Sequence, residues 1–324
     1  MGKLWEVIGG ADKGGILVRR GCELSSPAED ERLSTGAFLL EQEILGERLR
    51  YLRLSGTGPP TGWVSLRVKE KPMLQARALS RKLRVLALHG APSNSNVMKF
   101  QSAALRKVAG EDFEWIFLDG PCEWQPVPGA TQMNFAERTA MEKAIAKEKP
   151  FVQWYSHPLP KDGEAAGGGA GGPMTFDGVI YEKVQASVDF LEKSLAADAD
   201  VVVAFSQGGT MLAIYMDEMR KALRPVQWRL GVFFCGAMID DEDFQLLDKL
   251  PLPALYIHGG DTDPWGRHGE KMLPKMYTEL EMLEHSDGHS FPSAQPRAGE
   301  IYQRVICRMY ASAMDLIGDA SSKK

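Results

Sequence analysis

The amino-acid sequence predicts an α/β protein with a doubly wound, mostly parallel sheet, preceded by a small N-terminal all-β barrel-like domain. From Leu83 onward, short apolar runs alternate with segments of helical periodicity, which is the pattern of strand–helix–strand units. Before residue 70, short β-branched and aromatic runs are separated by glycine-rich turns, which favours antiparallel strands.

Six apolar runs after residue 82 are expected to form the parallel sheet. Each is almost continuously apolar, which is typical of strands that are covered on both faces. The predicted strands are 83–88, 114–119, 200–205, 230–235, 254–259 and 280–285, and the main helices are predicted over 181–195, 209–223 and 300–317.

The chain is expected to divide into four segments. Residues 1–70 form the β module, 71–82 a linker, 83–318 the α/β domain and 319–324 a disordered tail. From Trp5 to Val68 the motifs GGADKGGILVR, ERLSTGA and GTGPPTGWVS resemble a small SH3-like module. This segment holds no cluster of acid, base and nucleophile, and the resemblance implies no activity for it; recruitment of a protein partner is one candidate role.

Composition limits the classes of partner. The 324 residues are 44% hydrophobic and 25% charged, which is ordinary for a soluble globular protein. The net charge of -5 argues against nucleic acid as a main partner. No apolar stretch is long enough to span a bilayer, and the N-terminus lacks the apolar run of a signal peptide, so we expect a cytoplasmic protein. The four cysteines match no metal-binding spacing, and we expect neither metal nor cofactor.

The sharpest chemical signal is AFSQGG at residues 204–209. It follows a predicted strand and precedes a predicted helix, which is the context of a nucleophile elbow. The tight turn needs small residues two positions before and after the serine, and Ala204 and Gly208 satisfy this need, although glycine is usual at the first position. Ser206 is therefore the predicted nucleophile, and a chance serine in a strand–helix loop is the alternative.

A serine nucleophile needs a base, and His289 is the best-placed histidine because it follows the last predicted strand. A carboxylate must orient the imidazole, and the stretch GGDTDP offers Asp261 and Asp263. We prefer Asp263 and assign helix capping to the other aspartate. The chain order Ser206, Asp263, His289 is that of α/β-hydrolases. The other histidines at predicted strand ends are expected to fix turns; these are His89, His258 and His285.

Two backbone N–H groups should form the oxyanion hole. One is that of Gln207, directly after the nucleophile. The other belongs to the loop after the first strand, where Pro92 has no N–H and Ala91 is therefore the predicted donor. Such donors are each worth about 10²–10³ in rate.

Substrate contacts are harder to place. Aromatic residues that could line an acyl pocket are Trp124, Phe151, Trp154 and Tyr155, with core packing as the alternative for each. The glycine-rich stretch from Gly163 to Gly172 follows three of them and is either a mobile lid or an inert insertion.

The motifs resemble those of the FSH serine hydrolases, a family of the α/β-hydrolase superfamily that is similar to the ovarian-cancer-associated serine hydrolase and to fungal polyketide-releasing thioesterases. The resemblance runs from Leu83 to about Tyr310 and includes LRVLALHG, AFSQGG, LYIHGGDTDP and HSDGHSFP. It supports Asp263 and His289, and it implies an esterase or thioesterase that acts on acyl chains through an acyl-enzyme without a cofactor.

Three functions therefore compete. The first is hydrolysis of carboxylic esters or thioesters of acyl chains. The second is acyl transfer or peptide cleavage by the same triad. The third is a non-catalytic protein whose N-terminal module recruits a partner, and the intact set of Ser206, Asp263 and His289 argues against it.

Overall fold

The computed structural model describes residues 2–130, 135–156, 181–236, 244, 246 and 248–319. The glycine-rich stretch at 163–172, considered above as a lid, lies outside these residues. Two compact units make up the chain: the first contains Met1–Lys82, Val108–Asp112 and Gln303–Lys324, and the second contains Leu83–Lys107 and Phe113–Tyr302. Within the described ranges, no helix has both the length and the apolar character that a membrane span requires.

The first unit is an antiparallel sheet, as the sequence predicts. Among the described residues its strands are β1 (Leu4–Val7), β2 (Ile16–Arg19), β3 (Ala28–Leu33), β4 (Phe38–Leu45), β5 (Arg48–Arg53), β6 (Thr61–Ser65), the short pair β7 (Arg67–Val68) and β8 (Lys71–Pro72), β9 (Leu74–Leu79) and β18 (Ile317–Asp319). The order across the main sheet is β18-β9-β1-β4-β5-β6-β2-β3. Fully buried Val7, Leu39 and Tyr51 belong to its core.

Two segments of the first unit differ from the sequence prediction. Residues 74–79, predicted as part of a linker, form β9, which pairs on one side with β1 and on the other with β18. The last helix, predicted to reach residue 317, is α7 (Arg297–Ala311), because residues 317–319 are extended in β18. Pairing with β18 satisfies the second row of backbone groups of β9, and this partner is about 240 residues away in sequence, so local periodicity does not reveal it.

The second unit is built on a parallel sheet, which confirms the predicted α/β class. Within the part of the chain that is described, its strands are β10 (Leu83–Leu88), β11 (Phe113–Leu118), β14 (Val201–Phe205), β15 (Leu230–Phe234), β16 (Leu250–His258) and β17 (Tyr277–Glu284), with a separate short pair β12 (Cys122–Glu123) and β13 (Val152–Gln153). The order is β11-β10-β14-β15-β16-β17, and every neighbouring pair is parallel.

The remaining helices lie between these strands in the chain. They are α1 (Ser95–Gln101), α2 (Ala103–Ala109), α3 (Ala140–Ala146), α4 (Val184–Lys193), α5 (Gln207–Lys221) and α6 (Pro264–Met276). The central strand β14 is buried along its whole length, and α5 directly after it is buried along most of its length. The apolar side chains of these two elements therefore belong to the core of this unit.

The strand order reverses direction beside β10. From β10 the chain first adds β11 on one side, and it later adds β14 and the following strands on the other side. In open parallel sheets, ligands bind at the carboxyl ends of the strands where the order reverses. In the register of the sheet Leu88 pairs with Ala204, so the loop after β10 and the turn after β14 meet at this edge.

His89 holds the end of β10 in place and is fully buried. Its Nδ1–H donates to the carbonyl oxygen of Gly90 at 2.5 Å, and its Nε2 accepts from the N–H of Gly120 at 2.9 Å. The indole of Trp154 donates to the carbonyl oxygen of His89 at 2.9 Å. Burial lowers the pKa of His89 to about 4, although the hydrogen bond to Gly90 opposes the shift. The neutral ring has the structural role that its position after a strand predicts.

We expect this neutral histidine to make the protein sensitive to acid. The folded state releases the His89 proton above about pH 4, whereas an unfolded histidine titrates near about 6.5, so the unfolded state binds more protons between these values. The free energy of unfolding should therefore fall by up to about 3 kcal/mol as the pH drops through this window.

The variant His89→Gln tests this expectation, because glutamine keeps an acceptor for Gly120 but does not titrate. Urea unfolding of both proteins at several pH values in this window measures the free energy of unfolding. This free energy should change less with pH in the variant than in the parent protein. His285, whose pKa burial also lowers, is present in both proteins and cancels in the difference. An equal dependence of the free energy of unfolding on pH in the two proteins would contradict a buried, neutral His89.

Candidate active site

Ser206 occupies the turn between β14 and α5 in an unusual backbone conformation. Its φ is 49° and its ψ is -120°, a combination that is sparsely populated by residues other than glycine. The surroundings hold it there: its N–H donates to the carbonyl oxygen of Phe234 at 2.8 Å, and its own carbonyl accepts from the N–H of Gly209 at 3.0 Å. Such strained turns present a side chain outward at the edge of the sheet.

The small residues of the turn are needed because two backbones approach closely. A Cβ on Gly208 would lie 2.7 Å from the carbonyl oxygen of His89 and 2.9 Å from that of Leu88. A Cβ on Gly90 would lie 3.1 Å from the Cβ of Ser206. Ala204, by contrast, is fully buried within the sheet, so a methyl group is accommodated at this position.

The side chain of Gln207 has a role that the sequence does not reveal. Its Oε1 accepts from the backbone N–H of Trp154 at 2.7 Å, and its Nε2 donates to the carbonyl oxygen of Tyr155 at 2.9 Å. The buried amide therefore ties the segment after β13 to the serine turn. The backbone N–H of Gln207, the predicted oxyanion donor, lies at the start of α5, directly after Ser206.

His289 and Asp263 form a direct hydrogen bond. The distance from Nδ1 of His289 to Oδ1 of Asp263 is 2.8 Å, and the carboxylate is fully buried. Asp263 stands at the N-cap position of α6, where its side chain makes no capping hydrogen bond, and its Oδ1 contacts the imidazole instead. The His289 ring lies 5.1 Å from the ring of Phe205, the residue before Ser206. Its Nε2 is buried and has no hydrogen-bond partner among the described residues.

The environment of Asp263 favours its ionised form. Burial raises the pKa of this carboxyl, but the hydrogen bond and charge of His289, the backbone N–H of Gly266 and the thiol of Cys235 together hold the pKa below its usual range. A Cβ on Gly266 would lie 2.5 Å from Oδ2 of Asp263, so glycine is needed there for the carboxylate to fit. A buried anion in this position orients the imidazole and stabilises its protonated form.

Cys235 adds a thiol to this pair, which the sequence does not predict. Its Sγ lies 3.5 Å from the carbonyl oxygen of Ser290, and burial raises the pKa of the thiol, so it stays protonated. Potential ligand atoms of Cys235, Asp263 and His289 lie within 4.8 Å of one another. These three side chains are the set that could hold a metal ion in the described part of the chain, but the hydrogen bond between Asp263 and His289 already occupies one atom of each.

The structure distinguishes the two aspartates of GGDTDP. Asp261 is exposed and pairs with Arg267, whereas Asp263 contacts His289. The other two histidines at strand ends also fix turns: Nδ1 of His258 accepts from the N–H of Gly260 at 3.3 Å, and Nδ1 of His285 accepts from the N–H of Asp287 at 3.1 Å.

The aromatic residues considered for substrate binding have different environments. Trp154 and Tyr155 lie in the hydrophobic core, and Trp154 has no exposed surface with which to contact a substrate. Trp124 packs edge-on against Phe151 with ring centroids 6.3 Å apart, and Phe151 is partly exposed. Ala91 follows Gly90 on the loop after β10, next to the serine turn.

The close approach at Gly208 generates a prediction with a matched control. Gly208→Ala places a methyl group against the carbonyl oxygens of Leu88, the last residue of β10, and of His89, which follows it; these oxygens cannot move without disturbing the sheet. In Gly209→Ala the nearest atom is 3.5 Å away, and alanine is favoured over glycine in a helix by up to about 1 kcal/mol.

We therefore expect Gly208→Ala to lower the melting temperature and to slow labelling of Ser206 by a fluorophosphonate, whereas Gly209→Ala should retain both properties. The measurements are the melting temperature and the rate of fluorophosphonate labelling of each variant, compared with those of the parent protein. Equal behaviour of the two variants would show that the turn tolerates a side chain at either position.

Comparison with known proteins shows the family of this chain. Residues 79–301 match the family model described as serine hydrolase (FSH1). Esterase FUS5 of Gibberella fujikuroi is 26% identical over 249 residues, which cover 74% of this chain and 93% of that protein. Esterase OVCA2 of Danio rerio is 23% identical over 231 residues, which cover 70% of this chain and 97% of that protein.

Solved structures include a similar chain, acyl-protein thioesterase 2 of Zea mays, with a TM-score of 0.45 and 15% identity over 71% of this chain and 94% of that one. The family model covers well over half of the sequence and contains the serine turn, both aspartates and His289. The family that the motifs indicate is thereby confirmed: the chain belongs to the FSH1 serine hydrolases.

Proposed function

We propose that this protein hydrolyses carboxylic esters or thioesters of acyl chains, with Ser206 as nucleophile, His289 as base and Asp263 as orienting acid. The observation that carries the proposal is the 2.8 Å hydrogen bond between His289 and the buried carboxylate of Asp263. It leaves Nε2 of His289 without a hydrogen-bond partner among the described residues, and the imidazole ring lies 5.1 Å from the ring of Phe205, the residue before the strained Ser206. The relatives named as esterases support the same reaction class.

Acyl transfer to the enzyme is the first half of the reaction. Ser206 Oγ attacks the acyl carbonyl carbon while Nε2 of His289 accepts the hydroxyl proton. Asp263 stabilises the imidazolium that forms. The backbone N–H groups of Gln207 and Ala91 stabilise the negative oxygen of the tetrahedral intermediate. Gln207 begins α5, so the positive end of the helix dipole adds to this stabilisation. The imidazolium then gives its proton to the departing alcohol or thiol.

Hydrolysis of the acyl-enzyme completes the cycle. His289 removes a proton from water, which attacks the acyl carbonyl, and the imidazolium returns the proton to Ser206 as the carboxylic acid leaves. No step requires a cofactor. We propose that the acyl chain contacts Phe151 and Trp124, while Trp154 and Tyr155 support the serine turn from the core through Gln207.

The first unit contains none of the proposed catalytic residues. We propose that it binds another molecule and does not take part in bond cleavage. Binding of a protein partner by this unit and a cytoplasmic location stay predictions from the sequence.

Ser206→Ala tests the nucleophile. The variant should lose ester and thioester hydrolysis by at least about 10³-fold in kcat/KM and should not be labelled by a fluorophosphonate, with an unchanged melting temperature. A panel of acyl esters and thioesters of graded chain length measures turnover. Labelling or substantial turnover in the pure variant would exclude Ser206 as nucleophile, and a parent protein that is neither labelled nor active would favour the non-catalytic alternative.

The two aspartates provide an internal comparison. Asp263→Asn should lower kcat by about 10⁴-fold, because an amide favours the wrong tautomer of His289. Asp261→Asn removes only an exposed ion pair with Arg267 and should change kcat by less than about threefold. A larger loss at Asp261 would reverse the assignment of the acid.

A further inference from the structure

The first unit contains a cleft that is strongly basic, although the whole chain has a net charge of -5. The cleft has a volume of about 430 Å³. Its walls come from β2, β3, β5, β6, β7, β8 and the turns beside them. Of the described residues that line it, one is acidic and five are cationic, namely Asp12 against Lys13, Arg19, Arg32, Arg48 and Lys71.

Carboxylates of the described residues form no ion pair with these five cations. Lys13 and Lys71 are exposed and form no ion pair with any described residue. Arg32 donates to the carbonyl oxygen of Gly15 at 3.2 Å, and Arg19 donates to that of Ser26 at 2.6 Å. Carbonyl oxygens satisfy hydrogen bonds but carry no net charge, so the positive potential of the cleft persists.

Arg48 makes this a built site and not only a patch of surface lysines. Its side chain is buried and donates to the carbonyl oxygens of Cys22 at 2.9 Å and Trp63 at 3.2 Å and to Oγ of Ser65 at 2.7 Å. Burial lowers the pKa of Arg48, and the charge of Arg19 lowers it further against the opposing effect of Cys22. A guanidinium remains charged in proteins, and burying a charge without a counter-charge costs free energy. A bound anion would offset this cost.

Apolar side chains lie in the same cleft. Leu24 is 68% exposed, Val68 53% and Leu17 38%, and all three line the cavity. Large apolar side chains exposed beside several cations fit a ligand that has both an anionic group and an apolar portion. The volume is in the range that small organic ligands occupy, about 300–1,000 Å³.

We propose that this cleft binds a phosphate monoester that carries an apolar group. A phosphate offers about two negative charges and three acceptor oxygens to several cations at once, whereas a carboxylate offers one charge. Arginine and lysine are the side chains that proteins use for phosphate. The ligand is either a soluble organic phosphate or the phosphate headgroup of a lipid, because the chemistry recognised in the cleft is the same.

Calorimetric titration of the full-length protein with octyl phosphate tests the proposal, with octanoate as the singly charged comparison. Octyl phosphate should bind more tightly than octanoate. The double variant Lys13→Gln/Lys71→Gln should weaken its binding by at least about tenfold. The matched control Lys3→Gln/Lys82→Gln removes the same charge from two exposed lysines of this unit that do not line the cleft and should bind within about twofold of the parent.

Co-sedimentation with phosphatidylcholine vesicles, with and without phosphatidic acid, separates the two sources. Binding to octyl phosphate that depends on Lys13 and Lys71 supports a soluble ligand, and lysine-dependent binding only to phosphatidic acid vesicles supports a lipid headgroup. The proposal is overturned if the protein binds neither octyl phosphate nor phosphatidic acid vesicles. It is also overturned if the double variant binds them as tightly as the parent protein. Hydrolysis of a small neutral ester should be the same in all these variants, so the result is independent of the proposed catalytic function.

Discussion

The close approach of two backbones, at the end of β10 and at the turn after β14, is the constraint on which the catalytic unit depends. Gly208 has the carbonyl oxygens of Leu88 and His89 where a side chain would otherwise be. This contact places the loop that contains Ala91 beside Ser206. It also explains why His89 is buried as a neutral ring: its hydrogen bonds to Gly90 and Gly120 fix the path of the chain that approaches the turn.

Buried polar groups then orient the residues around the turn. The amide of Gln207 bonds the backbone at Trp154 and Tyr155, so hydrogen bonds join the aromatic segment directly to the residue after Ser206. On the other side of Ser206, Asp263 is ionised although it is buried, because His289, Gly266 and Cys235 all favour its charge. A carboxylate held in this way loses little freedom when the imidazole becomes protonated, which is the preorganisation that serine hydrolysis requires.

The two units use charge differently. In the catalytic unit the buried Asp263 is paired with a histidine, and the exposed Asp261 is paired with Arg267. In the first unit, cations gather around a cleft with one acidic residue. Self-repulsion among these cations is a cost to folding that the unit's apolar core must offset. An arrangement of this kind is typical of a surface whose counter-charge comes from a ligand.

The sequence by itself determined the features that depend on neighbouring residues. Apolar runs located the six parallel strands to within a few residues, because burial on both faces demands continuous apolar sequence. The spacing of Ala204 and Gly208 around Ser206 indicated the strained turn, because its steric limits act over five consecutive residues. The motifs also identified the family, and their chain order made His289 the expected base.

Only the tertiary structure decided the features that depend on distant residues. Asp261 and Asp263 are two positions apart on one loop, and the placement of His289 determines which of them it contacts. The thiol of Cys235 comes beside this pair from the end of β15. Trp154 and Tyr155, which follow β13, are held in the core by the amide of Gln207. The strand β9 gains a partner from the end of the chain, and the basic cleft combines residues from Lys13 to Lys71. Such contacts arise from the packing of elements, and local sequence patterns carry no record of them.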